Sequence, residues 1–555
     1  MHETGTRLLV GDLVGYLLKC DPTELRFPRW PPDVFAIAGT LLRDSGAYAQ
    51  VVTSWPPDTA NASTWVEDIR QLSKRWRQAA TTDSAPIPHE IDGWWQRLLA
   101  SRALPVADIR HDASLCEALI QLFVAADEAA DGVWIPGGSS DVDDAFEIEA
   151  VSLLRRNSAR STLCKQVDSS RALVLPKLHT PKGGMTIRSL SHHLALCRAE
   201  EIDPVWARVQ SRSEREGLNL LLVPFPFQIR PSQFRPLWPE SGLGEPSPLR
   251  NLPREFGFFE FELSAGSEGL GAWIESLMDR AEQESGPIDG VVFPELALSE
   301  DAYDHMAERV ISRNAFFVAG VGDSAPTSRH HGTLNCLKFS VPAFGEVGAR
   351  RFAGTTKPVL TLQQHKHHRW ALDGRQVIQY GLGSRLNPAI TWWENTTLHP
   401  RTLTFVSMRP SLTIGVLICE DLARQEPVAE MVRAVGPNLL IALLMDGPQL
   451  ADRWPARYAT VLADDPGSSV LTLTSAGMAE LCVPPGRRPS RVVGMWKDAR
   501  SGSPVCLELP EGKQGIVLSL AVEYMEEWSA DGRGDLQTTA YPIFGGIRYV
   551  SADGP

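Results

Sequence analysis

Long apolar runs are missing from this chain: no stretch of about 18 consecutive apolar residues occurs, so no membrane-spanning helix is expected. Cationic excess is missing as well. Lys and Arg number 54 against 67 Asp and Glu, and the net charge of −13 argues against general nucleic-acid binding. No Cys-x-x-Cys pair occurs among the 8 cysteines, which are scattered at 20, 116, 164, 197, 336, 419, 482 and 506, so neither a zinc site nor a disulfide framework is indicated. The first residues, Met-His-Glu-Thr-Gly-Thr-Arg, lack the charged-then-apolar pattern of a secretory signal. A cytoplasmic location is the expectation.

What is present is an ordinary globular composition, 43% hydrophobic and 22% charged over 555 residues, enough for two or three domains. Organisation changes near residue 200. Residues 8 to 19, 34 to 48, 64 to 78, 91 to 103 and 112 to 131 carry helical spacing, as in Leu115, Ala118, Leu119, Leu122 and Phe123. Pro/Asp/Ser-rich connections at 55 to 62 and 82 to 88 separate some of them. Ser139-Ser140-Asp141 opens another helix with acids early and Arg155, Arg156 and Arg160 near its end, a polarity that suits the helix dipole. Residues 172 to 190 read as a hairpin or strand pair leading to Ser191-His192-His193 and a helix through Val209. Adjacent histidines on a helix point about 100° apart, so His192 and His193 are read as structural rather than as a ligand pair.

Beyond residue 216, strands alternate with amphipathic segments such as Trp273, Ile274, Leu277, Met278 and Ala281. Three of the strand ends carry chemistry. Residues 414 to 422, Ile-Gly-Val-Leu-Ile-Cys-Glu-Asp-Leu, place Cys419 where an apolar run turns polar, and the amides of such a turn favour a thiolate and later an oxyanion. Residues 290 to 299, Gly-Val-Val-Phe-Pro-Glu-Leu-Ala-Leu-Ser, place Glu295 at the end of another apolar run. Between them, Gln364-His365-Lys366-His367-His368-Arg369-Trp370 offers a basic cluster after Val359-Leu360-Thr361-Leu362. Taken singly, each is more often structural: a core cysteine, a strand-end acid, a loop lysine. Their separations are too large for local contact, so only a fold that gathers strand ends can unite them.

An acid, a lysine and a cysteine in that order resemble the triad of the nitrilase, or carbon-nitrogen hydrolase, superfamily, over roughly residues 217 to 525. The ordered set includes a first strand at Leu218 to Pro226, Phe-Pro-Glu at 293 to 295, Val-Ala-Gly at 318 to 320 and an Asn-containing strand at 334 to 340. It continues through the Lys366 segment, Leu-Ile-Cys-Glu-Asp, Asn438-Leu439-Leu440-Ile441 and the segment Trp454-Pro-Ala-Arg457-Tyr-Ala459. The resemblance implies an α/β fold, a four-layer α-β-β-α sandwich, here at 216 to 530 after an α-rich region at 1 to 170 and a connecting segment at 171 to 215, with a tail at 531 to 555. It also implies Glu295 as general base, Lys366 as the ammonium that stabilises thiolate and oxyanion together with the backbone N–H of Glu420, and Cys419 as nucleophile. A fourth acid often supports this triad; Asp373 and Glu394 are the two candidates. Glu420 and Asp421 otherwise read as helix-starting acids.

Members that hydrolyse nitriles usually carry Trp after the cysteine, whereas Cys-Glu-Asp resembles the amidase side, so an amide or related small molecule is the expected substrate. No Ser-Gly-Gly-type ATP-pyrophosphatase loop follows, which removes a synthetase reading. No cofactor and no metal are implied: the histidines at 330 to 331 and at 365, 367 and 368 have no interleaved carboxylates or cysteines. Trp370, Trp392, Trp393 and Trp454 are candidates for an acyl pocket or for core. A homo-oligomer, commonly a dimer stacked through helices, is expected, with the amino-terminal region free to bind a protein partner. The alternatives are a catalytically silent scaffold of this fold, within a multi-gene stress or phage-defence system, and acyl transfer to an amine in place of hydrolysis.

Overall fold

Two β-sheets dominate the computed structural model, which describes residues 7–50, 62–82, 84–133, 145–155, 160–181, 186–199, 202–209, 215–237, 256–263, 269–323, 332–342, 358–483, 488–526, 531–534 and 538–553. The first runs, edge to edge, through Val359–His365, Asn335–Pro342, Phe316–Gly322, Gly290–Val292, Leu218–Leu222, Gly515–Glu526 and Thr538–Val550, with the short Leu298–Ser299 also on Phe316–Gly322. The second runs through Val505–Glu508, Val492–Lys497, Ser469–Leu473, Leu439–Leu443, Leu412–Ile418, Thr402–Arg409 and Asp203–Arg208. Each has a parallel centre, and those central strands are buried on both faces, which is why Leu439-Leu440-Ile441-Ala442-Leu443 reads as one unbroken apolar run.

Strand periodicity decides how the sheets stack, since alternate residues point to opposite faces. Leu220, Leu222, Phe316 and Val318 of the first sheet share a core with Ile414, Val416, Ile441 and Leu471 of the second. The intervening Leu221, Val291 and Phe317 pack outward on the helices Leu270–Ser285 and Glu300–Ser312 through Trp273, Ile274, Met306 and Val310. On the other side Leu417, Leu440, Ala442 and Val470 pack outward on Glu430–Val435 and Trp454–Asp464. Each fully buried side chain of this kind contributes about 1.5 to 3 kcal/mol.

The amino-terminal region is helical: Val10–Leu18, Pro31–Ser45, Ala62–Ala80, His89–Ala100, Ala113–Glu128 and Ala145–Arg155. The helix expected from Ser139 is described only from Ala145; residues 139–144 lie outside the described residues, as does the 55–61 connection. These helices bury Trp30, Phe35, Trp76 and Phe123 in the same cluster as the outer face of the second sheet. None of the described helices is long and apolar enough to cross a membrane.

Two expectations fail here. The described residues of 191–209 form no helix: Leu194–Arg198 pairs antiparallel with Ala172–Pro176, and Asp203–Arg208 extends the second sheet beside Thr402–Arg409. Pro204, which would break a helix interior, sits in that second strand, and the Asp127 carboxylate accepts the N–H groups of His192, His193 and Leu194 at 2.7, 3.0 and 2.8 Å, fixing the start of Leu194–Arg198. The expected tail at 531–555 contains Thr538–Val550, a 13-residue strand antiparallel to Gly515–Glu526. Gly545 and Gly546 obscured its pattern; a Cβ on Gly545 would meet the Ser519 carbonyl oxygen at 2.9 Å, beside a register shift in the ladder.

Ahead of that strand, Arg533 reaches back to the amino-terminal helices. Fully buried, it bonds Asp127 at 3.0 Å, Glu128 at 2.8 Å, Asp531 at 2.7 Å and the Leu190 carbonyl at 2.7 Å. Burial works against ionisation of Glu128, yet His193 and Arg533 hold its carboxyl down at about 2. Replacing Arg533 by Ala leaves these carboxylates without their shared cation. A loss of about 3 to 5 kcal/mol in urea unfolding is expected.

Candidate active site

Leu412–Ile418 ends at Cys419, whose φ of +48° is left-handed, and residues Cys419–Ala423 continue as a tight turn. A non-glycine residue held there costs about 1 to 3 kcal/mol, so the sheet and the turn together must impose it. The Met445 backbone, just beyond the neighbouring strand Leu439–Leu443, favours the Cys419 thiolate. Burial and the charge of Glu295 push the thiol well above its ordinary range, while Lys366 pulls the other way.

Glu295 follows Gly290–Val292 through Phe293-Pro294, and its turn lies directly on the strand Phe316–Gly322. Gly320 N–H donates to the Pro294 carbonyl and Ala297 N–H to the Gly320 carbonyl, both at 3.0 Å. A Cβ on Gly320 would stand 2.4 Å from the Glu295 Cα, so glycine is what lets this turn seat. Lys366 follows Val359–His365, and its N–H donates to the Asn335 carbonyl at 2.9 Å. Glu394 ends Thr391–Glu394, a strand of a smaller sheet with Ala371–Leu372, Phe256–Phe261 and Phe234–Leu237.

These strand ends meet. Lys366 Nζ lies 2.7 Å from Glu295 Oε1 and 2.6 Å from Glu394 Oε2, with all three side chains buried. Asn335 Nδ2 closes the ring, donating to Glu295 Oε1 at 2.9 Å and to Glu394 Oε1 at 2.7 Å. Trp370 N–H donates to Glu394 Oε2 at 3.1 Å. Burial, reinforced by Glu394, raises the Glu295 carboxyl against the pull of Lys366; burial opposes the Lys366 ammonium, but the two carboxylates outweigh it and keep the lysine charged. Of the two candidate supporting acids, Glu394 is in contact with the lysine. Asp373 instead caps the helix Gly374–Gln379, its carboxylate accepting the Gln376 N–H at 2.8 Å.

Sequence reasoning passed over three features. Asn335 lies in the strand expected at 334 to 340, and nothing local distinguishes it from its neighbours there. Asp421 had been read as a helix-starting acid; it is 1% exposed and lies 3.3 Å from Nδ1 of both His367 and His368, tying the turn after Cys419 to the segment after Lys366. Although burial opposes it, the two imidazoles hold this carboxyl below its usual range. Met445, just beyond the neighbouring strand Leu439–Leu443, carries no local signal of its effect on the thiol. The Glu420 side chain pairs with Arg424.

The tryptophans divide. Trp370 and Trp392 sit in an apolar cluster with Phe234, Phe259, Met445 and Leu296, the residue after Glu295. Trp393 stacks on Phe256 with centroids 6.2 Å apart, and Trp454 packs on the amino-terminal core. His365 stacks on His399 at 3.8 Å, while residues 330 and 331 lie outside the described residues.

Similar solved structures include members of the nitrilase superfamily. Nit3 of Saccharomyces cerevisiae, described as branch 10 of that superfamily, is 13% identical with a TM-score of 0.32, covering 55% of this chain and 90% of its own. An amidase of Nesterenkonia AN1 is 11% identical with a TM-score of 0.31, covering 56% and 92%, and a carbon-nitrogen hydrolase of Helicobacter pylori G27 is 9% identical with a TM-score of 0.29, covering 53% and 86%. No family model and no curated relative matches the sequence.

Proposed function

We propose that this chain is a thiol hydrolase of non-peptide C–N bonds, acting on amides through a cysteine thioester, and that its two sheets and flanking helices form a nitrilase-type α-β-β-α sandwich. One observation carries the reading: a buried Glu295–Lys366–Glu394 ring whose charges act on a thiol held in a left-handed turn. Strained backbone and strongly shifted ionisable groups both cluster at functional sites.

Each group has a task. Glu295, its proton affinity raised by burial, accepts the Cys419 proton as the S–C bond forms at the amide carbonyl. Negative charge moves to the carbonyl oxygen, where the Lys366 ammonium and the Glu420 backbone N–H stabilise it. Glu295 returns the proton to the nitrogen, the C–N bond breaks and the amine departs. Water then attacks the thioester, giving its proton to Glu295, and the C–S bond breaks to release the acid and restore the thiol. Glu394 balances Lys366 so that the ammonium persists through the cycle. Glu420 after the nucleophile, in place of Trp, supports an amide over a nitrile.

Cys419 is 3% exposed, so small substrates come first. Intact-mass measurement after incubation with a panel of small amides, ureas and nitriles, with ammonia release in parallel, tests the reading. An acyl adduct mapped to Cys419 and ammonia from an amide are expected; no adduct and no ammonia from any compound would leave a silent scaffold.

A further inference from the structure

We propose that Asn335 is the positioning residue that selects which oxygen of Glu295 serves as the base, by filling Oε1 and leaving Oε2 bare. This rests on the thiol-hydrolase reading above. The two flanking carboxylates fix the orientation of the amide, because its oxygen in that place would face acceptors on both sides. Both hydrogens of Nδ2 are therefore spent, one on Glu295 Oε1 at 2.9 Å and one on Glu394 Oε1 at 2.7 Å. Lys366 Nζ adds a second donor to the same Glu295 Oε1 at 2.7 Å. Glu295 Oε2, also buried, has no hydrogen-bond partner among the described residues.

That asymmetry has a chemical consequence. An oxygen that already accepts two strong donors is a poor proton acceptor, so the proton from sulfur goes to Oε2. Two donors converging on Oε1 also resist a half-turn of the carboxylate that would exchange the oxygens. Asn335 acts twice, since its backbone carbonyl accepts the Lys366 N–H at 2.9 Å and so sets where the lysine begins. The charged or titratable groups facing Glu295 are Lys366, Glu394 and the Cys419 thiol. Without the neutral donor, repulsion between Glu295 and Glu394 is shared out by Lys366 alone, and the acid form of Glu295 persists to higher pH.

The full-length protein alkylated with iodoacetamide across about pH 5 to 10, with the label at Cys419 quantified by peptide mapping, tests this without knowledge of the substrate. In the native chain the rate falls toward acid as Glu295 takes its proton. Asn335→Ala is expected to move that acid limb upward by about one pH unit and to slow labelling on the limb about tenfold. Asn335→Asp, which replaces the donor by a third carboxyl group, moves it further. An Asn335→Ala profile superimposed on the native one overturns the proposal while leaving the nucleophile reading intact. Should the alanine variant not fold, Asn335→Ser, which keeps one donor, must show a smaller shift in the same direction, and superposition again overturns it. A native Cys419 with no pH-dependent labelling removes the hydrolase reading itself, and the positioning role with it.

Discussion

Cys419→Ala is expected to abolish amide turnover, on the order of 10⁴-fold or more in kcat/KM, and to yield no adduct with any compound that labels the native chain. The size of the effect follows from the absence of a second nucleophile in the ring: Glu295 and Lys366 can move and stabilise charge, but neither forms the thioester. Stability should change little, because alanine keeps the left-handed backbone at this position and loses one sulfur from a site that is already strained. Cys506 is exposed, so adducts are assigned by peptide mapping rather than by total mass. Cys197 and Cys336, whose thiols burial pushes up to about 12, serve as internal controls for unreactive cysteine. Turnover retained in the alanine variant would remove the thioester mechanism.

Lys366→Met is expected to damage both fold and function. Its Nζ is the cation shared by two buried carboxylates, and removing one member of such a group costs about 3 to 5 kcal/mol. Activity falls at least about 10²-fold, since the oxyanion loses its charged donor. The pH dependence of stability carries a sign that separates this from ordinary core damage. In the variant, Glu295 and Glu394 repel each other in a buried site, and one must hold a proton in the folded state to higher pH than it does unfolded. The folded state then binds more protons than the unfolded one, so the variant loses stability as pH rises above about 4.3, the unfolded glutamate value. Urea unfolding at acid and neutral pH measures it. A variant as stable as the native chain at both would mean that the ring is not ionised as described.

Several elements were legible from residues alone because their signals are local. Apolar runs marked the strands that carry Glu295 and Cys419, and helical spacing marked five amino-terminal helices to within a few residues. The strand at Leu194–Arg198 was misread because His192 and His193 begin a polar-apolar mix whose conformation is set by Asp127, some 65 residues earlier. The strand at Thr538–Val550 was missed because its glycines suit a bulge that exists only against its neighbour. The choice between Asp373 and Glu394 could not be made locally either, since both are acids downstream of Lys366 and only packing decides which one turns toward the ammonium.

Sequence by itself determined which chemistry is available here: a thiol and a carboxylate at the ends of apolar runs that a sheet would bury, and an ammonium in a basic cluster after a mixed stretch. Tertiary structure alone decided that Glu394 and Asn335 complete the ring, that Asp421 ties the cysteine turn to the histidines after Lys366, and that the amino-terminal helices share a core with the sheet whose strand Leu412–Ile418 leads to Cys419. The reason is physical: periodicity and composition report what each segment buries, whereas the pairing of polar groups across tens of residues depends on which strands lie side by side.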